Sequence, residues 1–318
     1  MTLRERLSRW RPSKLEPALA PAVTVASTAQ RTSVDEYWSS HTVNSRPFKS
    51  AEESLAYLEW RFDEYPLFRE FMGLWGDHDG DVILDFGCGP GNDVTGFLTH
   101  TSARVIGIDV SPKALALARD RVALHGIDPA RVELIQTSDG DTSVPLDSST
   151  VDYINCGGVL HHTSEPEVLL TEFRRVLRDS GEARIMVYNR DSLWFHLYTA
   201  YARMIVEGAF AGSNVDEAFS RNTDGEECPI ARAYVPGDFI ALAEAAGFDA
   251  EFVGGYFARI ELDLHRTLLS EALADPRLGD EQRIFLTALR PSPAGYPSLR
   301  GKEAGVGGSY VLRPRSRS

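Results

Sequence analysis

Three glycines at alternate positions, Gly87, Gly89 and Gly91, follow Asp85, the acid that ends the apolar run Val82-Ile83-Leu84. A turn with no side chain at alternate positions lets the backbone come close to a nucleotide-like ligand. Asp109 closes a second apolar run, Ser138-Asp139 a third and Asn155-Cys156 a fourth, and the pair His161-His162 follows soon after. Imidazole titrates near neutrality, so this pair is the candidate general base for an acceptor that must lose a proton; the other reading is that it braces its loop. A dinucleotide site would need G-x-G-x-x-G with the pyrophosphate on a helix N-terminus. Here the third place is Asn92, and Asp85 and Asp93 would flank the dianion. The turn therefore suits a ligand that presents positive charge to it, and Asp109 lies where an acid takes ribose hydroxyls.

The elements that must position these residues alternate in type. Short apolar runs at 82–85, 103–109, 132–137, 151–156, 183–188 and 249–256 read as strands. Helical patterns fall at 92–100, 111–126, 166–177 and 238–247, with Ser111 as a cap and Pro112 in the first turn. This alternation predicts an α/β fold, a parallel sheet with helices on both faces. Right-handed crossovers bring all the strands' carboxyl ends to one edge, where ligands bind. Ahead of the first strand, Ser50 and Glu53 predict a capping box on a helix carrying Leu55, Leu58, Trp60 and Phe62, and after Pro66 a second helix runs through Trp75. Residues 193–210 read as a long aromatic helix, 213–235 as a lid-like loop, 259–290 as broken helix, 291–308 as a Pro/Gly-rich stretch and 310–312 as a last edge strand.

The chain has 318 residues, 43% of them hydrophobic, and a net charge of −13. Residues 1–14 and 299–318 each hold five basic residues and one acid, so 15–298 carry −21. That acidity argues against nucleic acid as partner. The absence of a long apolar run argues against a membrane span. Three cysteines, Cys88, Cys156 and Cys228, form no C-x-x-C and predict a reducing, cytoplasmic setting. The expected organisation is a mobile leader (1–33), a helical cap (34–80), a cofactor-binding core (81–190), an acceptor-side insertion (191–235) and a C-terminal part of the fold (236–318).

D-F-G-C-G-P-G, the acid at Asp109, S-D after strand three, C-G-G-V-L-H-H after strand four and R-V-L-R-D-S-G at 175–181 together resemble the class I S-adenosylmethionine-dependent methyltransferases, in particular the small-molecule group with V-L-H-H. The acids around the turn agree, because the sulfonium and ammonium of S-adenosyl-L-methionine are cationic. The resemblance implies a Rossmann-like doubly wound, mostly parallel seven-stranded sheet with an antiparallel last strand. It implies that Gly87, Gly89 and Gly91, with Cys88, lie along the methionine moiety and that Asp85 holds its amino group. Asp109 and Val110 would meet the ribose, Ser138 and Asp139 the adenine (with Asp141 as the alternative to Asp139), and Asn155 and Cys156 the methionine end.

The reaction so implied is in-line methyl transfer to oxygen, nitrogen or carbon of a small organic acceptor. Asp224, Cys228, Tyr234, Trp194, His196, Tyr198 and Tyr201 are the candidates for the acceptor pocket; an ordinary helix–helix seam is the alternative. No metal is expected, since Cys156, His161, His162 and Cys228 have no zinc-finger register. A catalytically silent cofactor-binding scaffold and an NAD(P)-dependent oxidoreductase are the rival functions, and the oligomeric state is not legible.

Overall fold

The computed structural model describes residues 33–43, 45–141 and 143–315; the expected leader lies outside them except for Ser33. The chain opens with α1 (Val34–Ser40), an unforeseen helix whose start is a capping box between Ser33 and Glu36. In α2 (Ala51–Glu64) Ser50 caps as expected, accepting from Glu53 N at 3.2 Å, but Glu53 turns its own carboxylate to Lys49 N and Arg46. The next helix is shorter than expected: α3 covers only Phe68–Phe71, because Leu67 before it and Gly73 and Trp75 after it take left-handed backbone.

The core follows as β1 (Val82–Phe86), α4 (Asn92–His100), β2 (Arg104–Asp109), α5 (Pro112–Leu124), β3 (Val132–Gln136), β4 (Val151–Gly157), α6 (Pro166–Val176) and β5 (Leu177–Asn189). β5 starts well before the expected 183, since the chain leaves α6 already extended. Residues Trp194–Val206 wind as a π-helix, in which Glu207 N reaches back five residues to Ala202 O at 3.1 Å. The expected loop at 213–235 instead contains α7 (Val215–Thr223), started by an Asn214–Glu217 capping box, and β6 (Ala233–Tyr234). Then come α8 (Pro236–Ala245), β7 (Phe248–Tyr256), α9 (Arg259–Ala274) and α10 (Asp280–Ala288). The Pro/Gly-rich stretch forms a small antiparallel sheet of β8 (Arg290–Pro291), β9 (Pro297–Leu299) and β10 (Lys302–Glu303), and β11 (Gly307–Pro314) ends the fold.

The main sheet runs β3-β2-β1-β4-β5-β11-β7, with β6 added beside the end of β5. All pairings are parallel except those of β11, which is antiparallel to both β5 and β7. β11 is therefore interior and not the edge strand expected. It is longer than 310–312 because both its edges find partners.

The pleat assigns each strand residue to one of two cores. Leu84, Ile106, Ile154 and Cys156 pack with Phe173 of α6 and Phe239 of α8. Ile83, Val105 and Tyr153 pack with Leu58, Trp75, Phe97 and Leu115. A third cluster joins the π-helix, α9 and α10 through Leu197, Tyr201, Leu268 and Phe285. Glu261 anchors it: its buried carboxylate accepts from Trp194 N, Ala258 N and Val306 N at 2.8, 2.8 and 3.2 Å.

Candidate active site

The register of β1 on β4 sets Asp85 beside Asn155, whose Nδ2 donates to Asp85 Oδ1 at 2.9 Å. Asp85 Oδ2 is buried and has no hydrogen-bond partner among the described residues. Burial, then repulsion from Asp93, pushes the Asp85 carboxyl up to about 8 against the stabilising bond from Asn155. Asp93 does not stand free: Arg61 of α2 donates to it at 2.7 Å, both side chains largely buried.

The glycine turn is tied to β2 twice. Gly87 N and Cys88 N share Ile108 O at 2.7 and 2.9 Å, and Gly89 N donates to Asp109 Oδ2 at 2.8 Å. Asp109 Oδ1 accepts from Ser111 N at 2.8 Å, so this acid also braces the turn, while burial holds its carboxyl above the ordinary range. Gly87, Gly89 and Gly91 all have positive φ, but their surroundings differ. A Cβ at Gly87 would meet Val159 Cγ2 at 2.1 Å and one at Gly91 would meet Ala118 Cβ at 2.9 Å, whereas at Gly89 nothing lies within 4 Å. The middle glycine thus faces open space, a cradle that a side chain would fill.

Other expected cofactor residues are placed differently. Cys156 sits in the core with Leu84 and Leu160, on the opposite face from Asn155, because neighbours on a strand point to opposite sides; it does not reach the methionine end. The Cys88 side chain is likewise buried, against Gly107 and Val94, which leaves its backbone to the turn. Val110 is half-buried just beyond Asp109. Asp139 accepts from Ser164 N at 3.1 Å and from Ser164 Oγ, and Asp141 accepts from Ser138 N at 2.7 Å. The carboxylate over Ser138 and Asp139 is Asp35 of α1, which accepts from Asp139 N at 2.9 Å and from Ser138 Oγ. The sequence reading had no place for Asp35; the Ser33–Glu36 capping box was the available signal.

The histidine pair separates into two roles. His161 is fully buried, stacks on Tyr188 at 3.8 Å and accepts from Tyr188 N at 3.3 Å through Nδ1. His162 lies 2.6 Å from Ile230 O through Nδ1, and since a carbonyl only accepts, Nδ1 carries the proton. Its Nε2 then faces Asp224 Oδ2 at 3.6 Å. Burial lowers the pKa of both imidazoles. The Tyr188 hydroxyl lies 2.9 Å from both oxygens of Asp224, and Trp38 of α1 covers His162 at 4.7 Å between rings. Tyr37 OH donates to Asp224 O. Cys228 Sγ is 3.9 Å from His162 Nδ1.

Asp224 and Cys228 thus gather at His162, while other acceptor candidates do not. His196 stacks on Phe285 at 4.1 Å and Tyr201 is buried in the same cluster, an ordinary seam. Tyr234 packs on Phe239 toward the main core, and Trp194 donates to Thr223 Oγ1 at 3.2 Å, with Tyr198 against it. Tyr188, Tyr37, Trp38 and Arg61 were missed as site residues. Tyr188 ends a recognised strand, but nothing local marks the others.

Residues 83–181 match the family model described as a methyltransferase domain. A protein of Aspergillus luteorubrus named "probable methyltransferase ltbC" is 27% identical over 234 residues, 71% of this chain and 72% of that one. An S-adenosylmethionine-dependent methyltransferase from Mesorhizobium loti superposes with TM-score 0.50 at 17% identity, over 79% of this chain and 100% of that one. Phosphoethanolamine N-methyltransferase 2 of Haemonchus contortus, solved with phosphomonomethylethanolamine and S-adenosylhomocysteine, superposes with TM-score 0.52 at 13% identity, over 90% of this chain and 61% of that one. The chain is an enzyme with a methyltransferase domain over residues 83–181. Its fold is the Rossmann-like one of the S-adenosylmethionine-dependent methyltransferases on which it superposes. No helix among the described residues is long and apolar enough to cross a membrane.

Proposed function

We propose that the chain methylates a hydroxyl oxygen of a small, uncharged organic acceptor bound at the corner of His162, Asp224 and Tyr188. When bound, the cofactor supplies a methyl carbon already activated by its sulfonium. Asp85 offers its unpartnered oxygen to the ammonium, Gly89 keeps the cradle open and Asp109 is placed for the ribose. Asp35, with Ser138 and Asp139, stands at the adenine end.

One observation carries the acceptor half: His162 spends its Nδ1 proton on Ile230 O, leaving the Nε2 lone pair aimed into the corner. An acceptor hydroxyl gives its proton to that atom as its oxygen takes the methyl, and Asp224 beside it stabilises the imidazolium. Trp38 and Tyr37 roof the corner and exclude water. Asp224 at its floor disfavours a carboxylate or phosphate acceptor, unlike the phosphate-bearing amine of the Haemonchus neighbour.

The test separates the two histidines. His162→Ala is expected to lower turnover of hydroxyl acceptors by about 10²–10⁴-fold, the usual worth of a positioned base, with cofactor affinity by calorimetry unchanged. Full turnover in His162→Ala would refute the base role.

A further inference from the structure

The acceptor corner holds one more donor than proton transfer uses. His162, Asp224 and Cys228 each place a ligand atom within 4.8 Å of the other two, with His162 buried and the others half-buried. Imidazole nitrogen, carboxylate oxygen and thiolate sulfur are the donor types that bind zinc-class ions, and three protein ligands with a fourth position open is the pattern of catalytic sites.

A second observation points the same way. His162 Nδ1 lies 2.6 Å from a backbone carbonyl, the outer contact that fixes the tautomer of metal-binding histidines and directs Nε2 to the ion. In that tautomer Nε2 and Asp224 Oδ2, 3.6 Å apart, are two acceptors facing each other with no hydrogen between them. A cation between them turns this repulsion into attraction. The charge also balances, because a carboxylate and a thiolate together neutralise a dication in a largely desolvated place.

We propose that His162, Asp224 and Cys228 form a site for a divalent transition metal of the zinc class, its fourth position open to the acceptor hydroxyl. The site rests on the reading that the hydroxyl binds at this corner. Metal binding displaces the thiol proton of Cys228 to solvent. With the ion in place His162 is a ligand and no longer the base. The acceptor oxygen coordinates, its O–H bond breaks with the proton released to solvent, and the ion holds the oxygen ionised for methylation. Cys228, whose thiol otherwise donates to Ile230 O at 3.3 Å, 3.9 Å from His162 Nδ1, turns to the ion as thiolate.

The test is spectroscopic and needs no acceptor. The full-length protein is stripped with a chelator and titrated with Co²⁺. The expected result is one equivalent retained, tetrahedral d–d bands and a thiolate-to-cobalt charge-transfer band; Cys228→Ser loses that band and His162→Ala loses the tight site. Wild-type protein that binds S-adenosylmethionine normally, yet retains neither Co²⁺ nor Zn²⁺ at equimolar loading, overturns the proposal. Methylation of hydroxyl acceptors at full rate by such metal-free protein sinks the metal site alone. Cobalt binding with no methylation of any hydroxyl acceptor sinks the acceptor reading and leaves the metal site standing.

Discussion

The donor and acceptor halves of this site are built in opposite ways. On the donor side the central parts, Asp85 to Gly91, are contiguous, and their conformation comes from backbone: positive φ at three glycines and amide bonds to Ile108 O and Asp109. On the acceptor side only two pairs, Tyr37–Trp38 and His161–His162, are neighbours in sequence. Tyr37, His162, Tyr188, Asp224 and Cys228 come from α1, the short turn after β4, β5 and the segment after α7, and His162 meets Ile230 and Cys228 across separations of 68 and 66 residues. A common cofactor can be held by a short local device. A particular acceptor is held by whichever segments the fold brings over the sheet edge.

This contrast can be broken by substitutions, and the largest effects belong to the acceptor side. Besides His162→Ala, Asp224→Asn is expected to cut turnover by about 10²-fold or more while leaving cofactor affinity unchanged. A matched loss of cofactor binding in Asp224→Asn would mean that the halves are not separable.

Within the donor side, Gly87 and Gly89 should fail differently. Gly87→Ala drives a Cβ into Val159 and strains a left-handed backbone, at a cost of about 2–5 kcal/mol in unfolding experiments. Gly89→Ala meets no atom, so only the backbone cost of about 1–2 kcal/mol applies. It should fold yet bind S-adenosylmethionine more than tenfold more weakly. Equal cofactor affinities for Gly89→Ala and wild type would remove the cradle from Gly89.

Asp85→Asn is expected to weaken cofactor binding by about 10–100-fold, the worth of one charged hydrogen bond, without lowering stability. Its carboxyl is raised from 3.8 to about 8 in the folded, cofactor-free chain. The folded state therefore binds the extra proton, and its contribution to stability is present at acid pH and lost as pH rises through about 8. A bound ammonium favours the carboxylate, so binding below that pH releases a proton and affinity climbs toward pH 8, by up to about tenfold per unit. Calorimetry in buffers of different ionisation enthalpy reads this directly, and Asp85→Asn should abolish it. The smallest effect is Tyr37→Phe, which removes one hydrogen bond to Asp224 O and should cost about 0.5–1.5 kcal/mol, read as a modest rise in acceptor KM.

The layered fold and the glycine turn were legible because their signals are local. An apolar run of the right length, a glycine where φ must be positive and a capping serine each act over a few residues. The errors have physical causes too. Cys156 was assigned to the cofactor because it stands next to Asn155, but the pleat turns it into the core. Residues 213–235 were read as a loop although Asn214–Glu217 is a helix start. The edge position of β11 failed because strand order depends on tertiary pairing, not on sequence position.

The sequence by itself determined the donor chemistry. Asp85, the three glycines, Asn92 in place of a further glycine and Asp109 argue against a dinucleotide turn and favour a cationic ligand, because charge and backbone freedom are properties of residues at short spacing. Only the tertiary structure decided which acid meets Ser138 and Asp139, which histidine has a free nitrogen and which cysteine lies beside it. Those outcomes rest on contacts between segments far apart in the chain, and such contacts exist only once the sheet has brought its carboxyl ends to one edge.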